Sequence, residues 1–228
     1  MKIQDSISNE FDAFSKNYTN DMIGVVPYYL ELMSCFTKSL PNSFNPKTIL
    51  DVGCGNGNVT ASLLKSFPNA EYTLLDASQE MLNLCAKRFK NSAVSCVKSY
   101  FQEFTFKANT YNLIVAGFSL HHCNSEDKKS IFKKIYKALK KEGVFMCSDL
   151  MISKNNPAHS SLVEKWHTFV LNTFPDGEKW QWLMDHYTEF DKPDNLDEQL
   201  RWLKSAGFSS IETTIHEKYW AHFKAIKN

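Results

Sequence analysis

The sequence predicts an α/β fold, a doubly wound sheet of mostly parallel strands with helices on both of its faces. Between residues 48 and 150, short apolar runs typical of buried strands alternate with longer stretches of helical periodicity. The first of these runs leads into a turn with three glycines, Gly53, Gly55 and Gly57, which opens a helix. A chain of 228 residues that is 43% hydrophobic can bury one core of this kind.

The elements can be placed in order from periodicity and from helix start and stop signals. Apolar residues recur at helical spacing over 9–40, and Pro27 suits the first turn of a second helix in that stretch. The core strands are predicted at 48–52, 71–76, 94–98, 111–116 and 144–150, and the helices between them at 58–67, 78–90 and 125–141. Asn124 or Ser125 can cap the last of these helices, and Gly143 can end it. A helix at 195–206 stops at Gly207, and strands at 209–215 and 218–225 complete a seven-stranded sheet with an antiparallel hairpin.

The segment 151–194 is not needed to complete the sheet. It is rich in large aromatic side chains, and it follows a strand whose carboxyl end lies where open α/β sheets bind ligands. We therefore predict a helical lid. We expect a single domain over 1–228, made of N-terminal helices (1–45), a ligand-binding core (46–150), this lid, and a C-terminal helix and hairpin (195–228).

Composition excludes several classes of partner. The chain has 26 basic and 25 acidic side chains, so no strong field attracts nucleic acid or a membrane. Only Arg88 and Arg201 offer the guanidinium fork that favours phosphate recognition. The six cysteines include no Cys-x-x-Cys pair and are predicted to be reduced. The first residues lack the apolar run of a signal peptide, so we expect a cytoplasmic protein with no membrane association. The balanced charge disfavours a nucleic-acid partner but leaves transfer to tRNA open.

The glycine turn and the acids around it indicate the kind of ligand. A dinucleotide turn has the pattern Gly-x-Gly-x-x-Gly, whereas here the glycines alternate and Asn58 stands in place of the third. Asp51 would repel a phosphate but would suit a cationic ammonium group. Asp76, at the end of the next strand, can accept two hydrogen bonds from vicinal ribose hydroxyls. These features favour an amino acid joined to adenosine.

Four stretches carry a resemblance to a known family. They are Leu-Asp-Val-Gly-Cys-Gly-Asn-Gly from residue 50, Tyr-Thr-Leu-Leu-Asp-Ala-Ser-Gln-Glu-Met-Leu from residue 72, Tyr-Asn-Leu-Ile-Val-Ala-Gly-Phe-Ser-Leu-His-His from residue 111, and Leu-Lys-Lys-Glu-Gly-Val-Phe from residue 139. In this order the chain resembles the class I S-adenosylmethionine-dependent methyltransferases. The resemblance implies a Rossmann-like fold, S-adenosyl-L-methionine as cofactor, and in-line transfer of its methyl group to a small-molecule acceptor.

The resemblance also implies which residues hold the cofactor. The glycine turn would approach the methionine end, Asp76 the ribose, and Tyr100 would stand where the family usually has an acid near the adenine. The segment 11–18 is similar to the family's N-terminal segment, whose tyrosine closes over the cofactor. The predicted cofactor residues are Tyr18, Asp51, Gly53, Cys54, Gly55, Gly57, Asp76, Ala77, Met81, Tyr100, Phe101, Ala116 and Phe118.

The acceptor side is predicted from the lid. Aromatic walls would exclude water and hold a planar or cationic acceptor. We expect His121, Trp166, Trp180, Trp182 and Tyr187 to line this pocket, and His167 and His186 to be the candidates for deprotonating an acceptor. The pair His121-His122 is interpreted as structural. No His, Cys and Asp residues have the tight spacing of a zinc site, so we predict no metal. A homodimer is compatible with the sequence.

Three other functions stay open. The layout, with its Ala206-Gly207-Phe208 ending, is also similar to carboxy-S-adenosylmethionine synthase, which modifies the cofactor itself. That family holds the extra carboxylate with an arginine in the lid region, and residues 151–200 contain none. A non-catalytic cofactor-binding regulator would have a lid filled by its own side chains. A dinucleotide-dependent oxidoreductase is disfavoured by the glycine spacing.

Overall fold

The computed structural model describes residues 18–228, which fold around one seven-stranded sheet. The strand order is β3-β2-β1-β4-β5-β7-β6; the first five strands are parallel, and β7 runs antiparallel to both β5 and β6. The predicted fold class is confirmed. The strands are Thr48–Val52 (β1), Glu71–Asp76 (β2), Val94–Lys98 (β3), Tyr111–Gly117 (β4), Leu139–Leu150 (β5), Ser210–His216 (β6) and Trp220–Ile226 (β7).

Eight α-helices are present in the described part of the chain, together with a short 3-10 helix at Leu120–His122 after β4. Three of the helices, α1, α6 and α7, belong to the cap over the carboxyl ends of the strands. The helices are Tyr18–Val25 (α1), Tyr29–Lys38 (α2), Asn58–Ser66 (α3), Gln79–Arg88 (α4), Ser125–Ala138 (α5), His159–Thr173 (α6), Glu178–Phe190 (α7) and Leu196–Ala206 (α8).

Three apolar clusters hold these layers together. One lies between the sheet and helices α5 and α8, and includes Phe132 and Leu203. A second lies on the opposite face, where α2, α3 and α4 pack around residues such as Leu63. The third joins α1, α6 and α7 above the strand ends, with Trp166 and Val170 among its buried members. Each fully buried side chain of this size contributes about 1.5–3 kcal/mol of transfer free energy.

One boundary prediction is wrong. The helix predicted at 125–141 ends at Ala138, and Gly143 lies inside β5 rather than ending a helix. The cause is a register shift between β4 and β5, where Tyr111 pairs with Leu139 but Leu113 pairs with Val144. The extra residues are held by the end of the chain, because Lys227 exchanges backbone hydrogen bonds with 142 and 143 at 2.7 and 2.9 Å. Such an irregularity leaves no periodic signal in the sequence.

The predicted helix start and the predicted lid agree with the observed elements. The side chain of Asn124 accepts a hydrogen bond from the Asp127 backbone N–H at 2.9 Å and so caps α5. The lid segment folds into α6 and α7, which pack on α1, and Trp166 of α6 also contacts Trp220 of β7 at a ring distance of 5.3 Å. The predicted helical stretch 9–40 contains α1 and α2, while residues 9–17 lie outside the described residues.

Candidate functional site

A first cavity opens at the carboxyl ends of β1, β2 and β4. The glycine turn forms its floor, and the residues after β3 form one wall. It contains about 720 Å³ of empty space, part of which is open to solvent. Its lining residues are Tyr18, Gly53, Gly55, Asp76, Ala77, Ser78, Met81, Tyr100, Phe101, Gln102, Phe118, Ser119, His122 and Cys123.

The glycine turn needs glycine for different reasons at different positions. Gly53 and Gly55 both have positive φ, 69° and 52°, in the left-handed region that other residues adopt at a cost. A Cβ on Gly53 would lie 2.4 Å from the Cβ of Ser119, which forms part of the cavity wall. A Cβ on Gly55 would meet only the ring of Tyr18, at 3.6 Å. The backbone at Gly55 is therefore open toward the cavity, as a closely approaching ligand requires.

Asp76 is held rigidly at the edge of this cavity. Its Oδ2 accepts a hydrogen bond from the Gly55 backbone N–H at 2.8 Å, and its Oδ1 accepts one from the Ser78 N–H at 2.9 Å. Ser78 in turn caps α4 by accepting from the Met81 N–H at 3.1 Å. Two bonds fix the plane of the carboxylate, and the remaining lone pairs can accept from ribose hydroxyls.

Four of the predicted cofactor residues do not line this cavity. Gly57 is turned toward α4, where a Cβ would lie 2.4 Å from the Phe89 ring. Cys54 and Ala116 are buried in the apolar core. Asp51 is fully buried behind the turn, where its Oδ2 accepts a hydrogen bond from the Thr60 hydroxyl at 2.7 Å. These four residues support the turn and do not line the cavity.

The buried carboxyl of Asp51 has a raised pKa. Burial raises the pKa of Asp51 to about 7, against the lowering effect of the Thr60 hydrogen bond and with a smaller raising effect from Asp76. Within residues 18–228 its Oδ1 has no hydrogen-bond partner. The expectation that Asp51 contacts an ammonium group directly is therefore corrected. Its charge can still act through the turn at short range.

A second cavity lies beneath the lid and shares three wall residues with the first. Tyr18, Phe118 and His122 line both cavities. The second cavity contains about 640 Å³ of empty space, part of which is open to solvent. Its other lining residues are Met22, Val25, Val26, His121, Asp149, Leu150, Trp166, Trp182, Leu183, His186, Tyr187, Asp191, Pro193 and Trp220.

One end of the second cavity carries a cluster of imidazoles and carboxylates. Oδ1 of Asp191 lies 3.0 Å from Nδ1 of His122, 3.5 Å from Nε2 of His186 and 3.7 Å from Nε2 of His121. The other ring nitrogen of His121, Nδ1, lies 2.5 Å from Oδ1 of Asp149. Oδ2 of Asp149 also accepts a hydrogen bond from the His121 backbone N–H at 3.1 Å. Asp149 therefore fixes both the ring and the backbone of His121.

The charges in this cluster are strongly coupled. Burial alone would lower the pKa of His121, but Asp149 and Asp191 outweigh burial and raise it to about 9. Burial, together with the neighbouring His121 cation, lowers the pKa of His122 to about 4. Burial would raise the pKa of Asp191, but His121 and His122 hold it at about 2. Near neutral pH His121 is therefore protonated and lies between two carboxylates, whereas its neighbour His122 is neutral.

The predicted acceptor residues divide into two groups. His121, Trp166, Trp182, Tyr187 and His186 all line the second cavity. Two predictions are corrected. His167 is exposed on the outer face of α6, with its ring tilted against that of Trp180 at a centroid distance of 4.8 Å, and it lines neither cavity. Trp180 packs behind Trp166, at a ring distance of 6.0 Å, and supports the wall without forming it.

The sequence-based reasoning missed several wall residues. Asp191 and Asp149 are distant in sequence from His121, and only the fold brings them together. Asp149 could have been found as the acid at the end of a strand, which is where ligands bind in such sheets. Asp191 gave no comparable signal, because it follows α7 in an irregular segment. The backbone of that segment is tied to the 3-10 helix by a hydrogen bond from the Lys192 N–H to the His121 carbonyl at 2.7 Å.

Comparisons with known proteins agree with this geometry. Residues 49–143 match a family described as a methyltransferase domain. The chain is 26% identical to a carboxy-S-adenosyl-L-methionine synthase of Nautilia profundicola, across 96% of this chain and 94% of that protein. It is 34% identical to a malonyl-[acyl-carrier protein] O-methyltransferase of Priestia megaterium, but over only 47% of this chain and 38% of that protein.

Among solved structures, the chain is similar to a protein of Thermotoga maritima described as a SAM-dependent methyltransferase and possible histamine N-methyltransferase. The TM-score is 0.67 at 14% identity, with 97% of this chain and 99% of the other covered. At this identity the likeness concerns the fold. It extends over almost the whole of both chains, including the cap, so the architecture is shared beyond the matched core.

Proposed function

We propose, from the premise that this chain carries a class I S-adenosylmethionine-dependent methyltransferase domain, that it is an enzyme which transfers a methyl group to a small-molecule acceptor held under the lid. The observation that carries this proposal is that two neighbouring cavities share Tyr18, Phe118 and His122 as wall residues. In-line displacement requires a nucleophile and a methyl donor to meet across such a wall.

The first cavity fits the cofactor. Gly55 leaves its backbone open, Asp76 presents a fixed carboxylate, and Met81 and Phe101 offer apolar surface for a base. When bound, S-adenosylmethionine supplies a methyl group that is already activated by the sulfonium leaving group. The residues of the chain therefore have to bind, align and exclude water. Burial raises the pKa of the Tyr18 hydroxyl well above its usual value, which keeps this shared wall residue uncharged.

The second cavity fits a small acceptor with both apolar and polar groups. Trp166, Trp182 and Tyr187 provide aromatic walls, and the cluster around Asp191 provides the polar end. His186 stays the candidate for contact with the acceptor, since it lines this cavity and His167 does not. Among the residues that the structure describes, no lysine or arginine lines either cavity, which disfavours a phosphorylated acceptor.

The test is a turnover assay with acceptor panels grouped by nucleophile: hydroxyl, amine, thiol and activated carbon. We expect adenosylhomocysteine and a methylated product to form together with one group. Replacing Trp182 with Ala should raise the KM for that acceptor and leave the dissociation constant of adenosylhomocysteine unchanged, because Trp182 lines only the second cavity. Trp202→Ala is the matched control, since Trp202 packs beside the core on α8. Tight adenosylhomocysteine binding with no turnover on any acceptor panel would favour the alternative of a non-catalytic, cofactor-binding regulator.

A second candidate, synthesis of carboxy-S-adenosylmethionine, is favoured by the near full-length relative from Nautilia profundicola. It requires a cationic side chain for the added carboxylate. Arg201 does not supply one, because it is exposed on α8 and pairs with Asp197 at 3.2 Å. Mass spectrometry of the ligand that co-purifies with the protein separates the candidates. A mass greater than that of S-adenosylmethionine by one carboxyl group would favour the synthase.

The proposed location is the cytoplasm, and the proposed assembly is a homodimer. In residues 18–228, no helix combines the length and the apolarity that a bilayer span requires. All six cysteines are free thiols, which favours a reducing compartment and supports the cytoplasm as the proposed location. A homodimer stays a prediction that sedimentation of the purified protein can check.

A further inference from the structure

The cluster at the polar end of the second cavity has a feature that methyl transfer alone does not require. Three ring nitrogens, on His121, His122 and His186, lie between 3.0 and 3.7 Å from a single carboxylate oxygen, Oδ1 of Asp191. In the described part of the chain this oxygen is buried and makes no hydrogen bond of normal geometry. Ring nitrogens and a buried carboxylate oxygen that converge in this way can also share a cation between them, as the ligand atoms of a metal site do.

We propose that His121, His122 and Asp191 form a binding site for a divalent transition-metal ion. One ligand atom from each of the three lies within 4.8 Å of the others. Donor atoms bound to one tetrahedral zinc ion at about 2.0–2.2 Å lie about 3.3–3.6 Å apart. The measured separations of 3.0 and 3.7 Å from Asp191 Oδ1 lie around this range, so small ring rotations would complete the site.

The surrounding residues supply the outer contacts that metal sites commonly have. A histidine ligand usually donates its second ring N–H to a carboxylate, which fixes the orientation of the ring. Asp149 stands in this position toward Nδ1 of His121, leaving Nε2 directed at Asp191. On the other side, Nζ of the buried Lys128 donates to the Lys192 carbonyl at 2.5 Å and to Asp194 Oδ2 at 2.6 Å. The carboxylate ligand therefore also comes from an anchored segment.

The donor set selects the class of metal. Two imidazoles and one carboxylate suit zinc, iron, cobalt or nickel better than magnesium or calcium, which prefer oxygen ligands. Three protein ligands leave coordination positions open, as in catalytic and not structural zinc sites. His121, His122 and Asp191 all line the second cavity, so these positions face the acceptor. If the proposed function holds, the acceptor would carry an oxygen or nitrogen atom able to ligate the ion.

The test measures binding without turnover. Protein freed of metal by chelator is titrated with Zn²⁺ by calorimetry, and with Co²⁺ by visible absorption. We expect one Zn²⁺ per chain, and a Co²⁺ spectrum with ligand-field bands but without the sulfur-to-cobalt charge-transfer band that cysteine ligands would give. Asp191→Asn should weaken Zn²⁺ binding by about 100-fold or more, since it removes the anionic ligand. Asp185→Asn, an exposed change on α7, is the matched control and should bind as the original protein does.

Several outcomes would overturn the proposal. They are the absence of stoichiometric Zn²⁺ binding, a cobalt spectrum dominated by sulfur ligands, and an Asp191→Asn variant with unchanged affinity. If Asp191→Asn fails to fold, as judged by circular dichroism, the cobalt spectrum of the original protein still decides. Because none of these measurements uses the methyl donor, failure of the metal site and failure of the proposed methyl transfer are distinguishable.

Discussion

The buried carboxyl of Asp51 should make the stability of the protein fall as pH rises. Its pKa is raised from 3.8 to about 7 in the folded protein, chiefly by burial. A group whose folded pKa is raised contributes its full stability below the unfolded pKa, and this contribution is lost as pH rises through the folded value. Between pH 5 and pH 8 these two pKa values give a loss of about 2–3 kcal/mol, at about 1.4 kcal/mol per pKa unit.

The perturbation that isolates this effect is Asp51→Asn, because an amide keeps an oxygen to accept from the Thr60 hydroxyl but cannot ionise. Urea unfolding of both proteins at pH 5, 6, 7 and 8 gives the difference in unfolding free energy. We expect the variant to gain about 2–3 kcal/mol relative to the original protein across this range. Asp185→Asn, on the exposed surface, should show no such trend. A difference for Asp51→Asn that stays constant with pH would refute the reasoning.

Three further predictions concern the two cavities. Asp76→Asn should weaken adenosylhomocysteine binding by at least about tenfold in calorimetry, because a hydrogen bond to a charged group contributes about 1.5–3 kcal/mol; unchanged affinity would remove Asp76 from the site. Gly57→Ala should lower the free energy of unfolding by about 2 kcal/mol or more, as measured by urea unfolding. Alanine would have to adopt the positive φ of 83°, and its Cβ would lie 2.4 Å from the Phe89 ring. A loss below about 0.5 kcal/mol would contradict this prediction. His186→Ala should lower kcat/KM for the acceptor while His167→Ala leaves it unchanged, and equal effects would contradict the different placement of the two residues.

Much of the sheet could be predicted from the sequence because its signals are local. Buried parallel strands read as continuous apolar runs, and each run here is bounded by a glycine, a proline or a capping residue. The glycine turn can likewise be recognised from the spacing of neighbouring residues, Gly53, Gly55 and Gly57. The segment from Leu139 to Gly143 was misread because its strand conformation depends on pairing with the C-terminal strand. No local pattern encodes that pairing.

The candidate site was predictable only where it follows the strands. Asp76 ends a strand and Phe118 follows one, and both line the first cavity. Helical periodicity predicts the two lid helices but not their rotation about their axes, so the sequence favours His167 as a cavity residue although its side chain is exposed. For Asp51, the sequence does not show how deeply the side chain is buried. Its position just before the glycine turn predicts contact with the ligand. In the structure the side chain is fully buried beneath the turn and does not reach the cavity.

Helix α1 lines both cavities and is linked to the two lid helices. Helix α1 contributes Tyr18 to both cavities, and it is bound to the lid by the hydrogen bond from the Trp166 indole N–H to the Val25 carbonyl at 2.5 Å. A second link, from Lys179 to Asp21 at 3.0 Å, joins α7 to the same helix. A movement of the lid that admits an acceptor must therefore either break these links or carry α1 with it. In the second case Tyr18 moves as well, and under the proposed function the lid movement that admits the acceptor would also change the cofactor cavity.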